Sequence, residues 1–66
     1  MNRLYKVTFK ANNVFYSFVT DGFTKEQAIE TTKTQWLLTN HTEKQTAFRA
    51  TLVRTHDYKM EEFIKI

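Results

Sequence analysis

From Arg3 to Ala11 apolar and polar residues alternate, with Tyr5, Val7, Phe9 and Ala11 on one side and Leu4, Lys6, Thr8 and Lys10 on the other. That period of two is the signature of a half-buried strand. Val14 to Thr20 repeats it, and Asn12-Asn13 stands between. Asparagine is the non-glycine residue best suited to the positive φ angles that both positions of a type I′ hairpin turn demand. With that turn the register follows: Ala11 faces Val14, Phe9 faces Tyr16, Val7 faces Phe18 and Tyr5 faces Thr20. Nearly every large apolar group then lies on one face, and Lys6, Thr8, Lys10, Phe15, Ser17 and Val19 lie on the other. A slip of one residue would destroy this sorting.

Asp21-Gly22, with the chain's single glycine, is read as the turn out of the hairpin, placed where the backbone needs unusual angles. The stretch from Phe23 to Leu38 reads as a helix. Thr24 followed by Gln27 is a capping box, in which the Gln27 side chain would reach back to the Thr24 N–H, and Phe23 with Ala28 has the spacing of a hydrophobic staple. Ala28, Ile29, Thr32 and Trp36 form a stripe ~100° wide that suits the apolar face of the hairpin. Glu30 can pair with Lys33 on the solvent side. Leu37 and Leu38 fall off the stripe, so either they curl under the fold or they make a sticky edge for a partner. Burial is the favoured reading, since apolar pairs at helix ends usually pack under the following loop.

Asn40 to Gln45 is polar and reads as a loop. Thr46 to His56 alternates again, Phe48, Ala50 and Leu52 inward and Arg49, Thr51 and Val53 outward. A helical crossover lays this third strand parallel to the second, and insertion beside the first gives an antiparallel sheet in the order 2-1-3. In the last ten residues a short helical stripe after an Asp57 cap competes with alternation of Glu62, Ile64 and Ile66. The favoured reading is a fourth strand paired with the third. The expectation is a single α+β domain over residues 1–66, β-β-α-β-β, with one helix packed on the sheet.

Composition narrows the function classes. Apolar residues at 41% and aromatics at 15% argue for a packed globule over a disordered tail. A chain of 66 residues buries roughly 60% of its unfolded surface, so its stability is expected to be marginal. It has no cysteine, hence no disulfide and no thiolate ligand or nucleophile. No apolar run reaches the ~18 residues that cross a bilayer, and no signal-peptide pattern stands at the start, so a cytoplasmic setting without membrane contact is expected.

Its two histidines, His41 and His56, have no helical spacing and no thiolate beside them, so no metal is expected. His41 reads as a solvated loop residue and His56, beside Asp57, as the end of a strand. A single glycine rules out a Gly-rich phosphate loop, and no nucleophile motif is present, so neither an enzyme nor a cofactor is expected.

Ten Lys and Arg against seven Asp and Glu give a net charge of +3, which favours an acidic protein surface or nucleic acid as partner. The candidate contact surface is the outer face of the sheet: Lys6, Lys10, Phe15, Val19, Arg49 and Val53. Its plainer alternative is that the lysines are ordinary solvent-side groups and the C-terminal segment covers Phe15 and Val19. Leu37 and Leu38 are a secondary candidate. An exposed aromatic among apolar neighbours more often marks a protein interface. The sequence therefore reads as a small non-enzymatic binding module, an accessory or inhibitor protein of phage or mobile-element type, able to work as a homodimer. The alternative is a nucleic-acid binder that uses the basic-aromatic face.

Overall fold

The computed structural model describes residues 3–54 and 60–66. Strands β1 (Arg3–Ala11) and β2 (Val14–Gly22) are followed by the helix α1 (Lys25–Leu38) and strands β3 (Gln45–Val53) and β4 (Ile64–Lys65). Together they make a small α+β fold, an antiparallel sheet in the order β3-β1-β2-β4 with one helix.

The hairpin follows the asparagine turn. Asn12 and Asn13 take φ of 51° and 61°, the left-handed values that let a two-residue connection match the twist of its strands. Phe9 stands opposite Tyr16, Val7 opposite Phe18 and Tyr5 opposite Thr20. The Phe9 and Tyr16 rings stack with centroids 5.6 Å apart.

The helix stripe is as patterned, with Ala28, Thr32 and Trp36 buried against the sheet. Ala28 packs with Tyr5 and Val7, and Trp36 with Phe9 and Ala11; Phe48 of β3 lies against both groups. Glu30 and Lys33 form the expected exposed pair at 3.6 Å, worth a few tenths of a kcal/mol. At the N-terminus the Gln27 N–H donates to Thr24 Oγ1 at 3.1 Å. The return half of the capping box is displaced by one residue: Gln27 Oε1 accepts from the N–H of Phe23, not of Thr24. The staple does not close either. Ala28 is taken up against Tyr5 and Val7, and Phe23 is left 60% exposed.

Gly22 has no positive φ, which corrects the expected reason for a glycine there. It continues β2 opposite Arg3, and a Cβ at this point would sit 3.4 Å from Ala28 N, Gln27 Oε1 and Thr24 O. The bare backbone lets the first helical turn close on the strand end at the limit of ordinary contact.

The far end of α1 explains two further departures. Asn40 takes φ 64°, its N–H donates to Leu37 O, and the His41 N–H donates to Trp36 O. This is a Schellman closure, which brings the residue after the left-handed position against the last turn. That residue is His41, whose ring stacks on Trp36 with centroids 3.8 Å apart. His41 is therefore half-buried and not a solvated loop residue. Because it fills the place under the helix end, Leu37 and Leu38 do not curl under: they are 70% and 68% exposed.

β4 exists but pairs with β2, not with β3. The cause lies one residue earlier. Phe63 stacks on Phe18 at 4.4 Å and meets Trp36 edge-on at 4.9 Å, so the open flank of the aromatic core on the β2 side draws the segment there. The end of the expected third strand, the Asp57 cap and His56 lie outside the described residues.

β3 contains one irregularity. Thr8 pairs with Arg49 but Lys10 with Thr46, so Ala47 and Phe48 together face Phe9, and Ala47 is held at φ 56°. This is a bulge whose left-handed position costs an L-residue ~1–2 kcal/mol and glycine almost nothing beyond its chain entropy. Ala47→Gly is expected to stabilise the fold by about 0.5–1 kcal/mol, seen as a rise of a few degrees in the thermal midpoint. A fall in the midpoint would show that the Ala47 methyl contributes packing larger than the strain.

Candidate interaction surface

With α1 covering the inner face, the chemistry left to the sheet is on its outer face. Strand alternation and the two registers place Lys6 between Val19 and Thr51, Thr8 between Ser17 and Arg49, and Lys10 between Phe15 and Thr46, with Leu4 beside Val53. Directly opposed residues share a side of the sheet. Lys6, Lys10, Phe15, Val19, Arg49 and Val53 are therefore brought onto one face. They are not equally available: Phe15 is 49% exposed and Val19 only 3%. Val19 lies where the returning segment meets β2, the Glu61 N–H donating to its carbonyl at 2.7 Å. It belongs to the support of the face and not to its contact surface.

One half of the face is cationic. Between β1 and β3 runs a groove of about 560 Å³ lined by Lys6, Arg49 and Arg54, the hydroxyl-bearing Thr8 and Thr51, and the apolar Leu52 and Val53. Arg49 and Arg54 have no carboxylate partner among the described residues. The Thr8 hydroxyl donates to Arg49 O at 3.5 Å, a long bond that ties the groove's two strands together.

The other half is apolar. Ser17 pairs with Ile64 and the Ile66 N–H donates to Phe15 O at 2.9 Å, so both isoleucines stand on the Phe15 side. They are 45% and 73% exposed. Lys10 links the halves, its Nζ 5.6 Å from the centre of the Phe15 ring.

Sequence reasoning missed Arg54, Thr8 and Thr51 as groove residues and Ile64 and Ile66 as part of the patch. The alternation of Ile64 and Ile66 was visible. What it could not say is which edge strand they join, and that alone puts them beside Phe15.

A second surface lies at the end of α1. Leu37 and Leu38 stand out, and a depression of about 300 Å³ runs between Leu37, Trp36, Phe48 and the loop from Thr42 to Gln45. Lys33 Nζ sits over the Phe48 ring at 5.2 Å. Lys33 and Lys44 line this depression beside Leu37, and Lys33 is paired with Glu30.

Among the described residues no three His, Cys, Asp or Glu side chains gather to hold a metal, and no helix is long and apolar enough to cross a membrane. The contact of Thr39 Oγ1 with His41 Nδ1 at 2.8 Å is part of the helix cap. The same hydroxyl lies 2.9 Å from Gln35 O and 3.1 Å from Trp36 O, acceptors that hold its proton.

The fold and this face define a small α+β domain that presents a mixed cationic and apolar sheet surface. No family model, curated protein or solved structure matches the chain, so the functional reading rests on the face itself.

Proposed function

We propose that the protein is a non-enzymatic binding module whose outer sheet face docks a partner protein, in the manner of a cytoplasmic accessory or inhibitory subunit. The observation that carries this reading is the junction of an exposed apolar cluster, Phe15, Ile64 and Ile66, with a groove whose two guanidinium groups lack carboxylate partners among the described residues. Apolar anchors beside unsatisfied charge are the composition of a docking surface, where the anchors contribute affinity and the charges orientation. A Lys-, Asn- and Thr-rich chain without cysteine or proline is compatible with a small phage or mobile-element accessory protein of this kind.

A homodimer through the outer edge of β3 is the less favoured form. Pairing β3 with a second copy about its midpoint would set two Arg49 side chains against each other, and the Ala47 bulge distorts the edge that must pair.

The test uses a photo-crosslinking residue in place of Phe15, with Thr34 on the exposed side of α1 as control, in an extract of the source organism. A discrete protein adduct at position 15 is expected, lost from the Ile64→Asp protein and kept in Leu37→Ser. An adduct that survives Ile64→Asp, or one that forms equally from position 34, contradicts the reading.

Nucleic-acid binding is the second reading, favoured by Arg49 and Arg54. It predicts affinity for an oligonucleotide that falls with salt with a log–log slope of about −1.5 to −2, as the two guanidinium groups of the groove would give.

A further inference from the structure

We infer that the groove between β1 and β3 receives the carboxylates of an acidic, apolar-ended helix of the partner. The inference rests on the protein-docking reading and names the chemistry of its ligand. Guanidinium groups bind carboxylate and phosphate alike through paired N–H donors, and the hydroxyls of Thr8 and Thr51 in the groove can donate to either. The neighbouring half of the face separates the two. A nucleic-acid strand needs flat rings spaced along it for its bases to stack on. Among the described residues this face offers one exposed ring, Phe15, already beside Lys10 Nζ, and then two aliphatic side chains, Ile64 and Ile66. Those fit leucine or isoleucine side chains, and an aliphatic patch joined to an arginine groove fits a segment that carries both apolar and acidic residues.

Geometry fixes their spacing. The groove lies over β1 and β3 and the apolar cluster over β2 and β4, two strand spacings apart, or ~10 Å at about 4.8 Å per strand. The cluster is centred near the Thr8–Lys10 level and the Arg49–Thr51 end of the groove near the Lys6–Thr8 level, which adds about two residues of offset along the strands and brings the separation between them to roughly 12 Å. At ~1.5 Å per residue a helix covers that distance in about seven or eight residues, and positions seven apart share one side of a helix. The ligand is thus a helix with apolar residues near one end of a stripe and Asp or Glu two turns further along it.

The test titrates isotope-labelled full-length protein with a synthetic helical peptide carrying two leucines and, about seven residues on, two glutamates. A peptide of the same composition in scrambled order and an oligodeoxythymidylate of about a dozen nucleotides are the comparisons. The ordered peptide is expected to shift the Arg49 and Arg54 side-chain signals together with the Phe15 and Ile64 amides. Its affinity should exceed that of the scrambled peptide, and Arg49→Gln with Arg54→Gln should weaken it about tenfold or more. Both arginines are exposed, so the variant is expected to keep its amide spectrum elsewhere. No shift at the two arginines, unchanged affinity in the double variant, or displacement of the peptide by the oligonucleotide from the same residues overturns the inference. The crosslinked partner separates the two levels. Capture kept by Arg49→Gln/Arg54→Gln but lost by Ile64→Asp removes the carboxylate groove and leaves protein docking standing. Capture kept by both removes the docking reading as well.

Discussion

Trp36→Ala is expected to cost about 3–5 kcal/mol of unfolding free energy. Trp36 is 2% exposed and joins the halves of the molecule. Its ring meets Phe9 at 5.0 Å, Tyr16 at 5.2 Å, Phe63 at 4.9 Å and His41 at 3.8 Å, and its indole N–H donates to Glu43 O at 2.9 Å. Truncation removes the apolar burial, opens a cavity among four rings and leaves the Glu43 carbonyl without its donor. A chain this short has ~3–10 kcal/mol of total stability, so the variant should be largely unfolded at room temperature by circular dichroism and urea titration. Trp36→Phe, which keeps the ring contacts in part, should remain folded with a lowered midpoint. A Trp36→Ala protein that melts within a few degrees of the parent would show that the helix is not held at this point.

Phe63→Ala is expected to cost about 2–3 kcal/mol, less than for a fully buried ring because Phe63 is half-buried. It also has a more specific consequence. β4 is two residues long, too short to hold its place by strand pairing alone. Its anchor is Phe63, stacked on Phe18 and 5.8 Å from Phe9. Loss of the ring should free the Ile66 N–H from Phe15 O, so the Ile66 amide should exchange with solvent much faster while the Val7 and Phe9 amides of β1 keep most of their protection. The apolar half of the outer face would then lose Ile64 and Ile66, and partner capture should fall with it. Retained protection at Ile66 would mean that something other than Phe63 anchors β4.

The parts legible in the sequence were those governed by local rules that agreed with one another. Two asparagines fitted one turn type, that turn implied one register, and that register sorted Tyr5, Val7, Phe9, Tyr16 and Phe18 together. The sheet order 2-1-3 followed from a crossover and one free place beside β1. What was not legible depended on contacts between residues far apart in the chain. Leu37 and Leu38 were expected to be covered, yet the Schellman closure gave their place to His41, an outcome set by the left-handed Asn40 and by the stacking surface of Trp36. The partner of β4 was decided by Phe63 finding Phe18, which no alternation in the last ten residues could reveal. The candidate surface divides in the same way. Lys6, Lys10, Phe15 and Arg49 were found by parity along strands. Val19 counts as a contact by parity because parity gives the side of a sheet but not what lies over it. Alternation carried to His56 turns Arg54 inward, whereas β3 ends at Val53, and Ile64 and Ile66 join the face from outside the first three strands.

The central claim is that the outer face of the sheet, and not the helix, meets the partner. Amide and arginine side-chain shifts of the labelled protein, recorded with and without its crosslink-identified partner, test it most directly. The expected result is change at Thr8, Lys10, Phe15, Arg49, Thr51 and Ile64, with Glu26, Glu30, Thr34 and Leu37 unmoved. Change centred on Leu37 and Leu38, with the Phe15 and Arg49 signals left where they were, would contradict it.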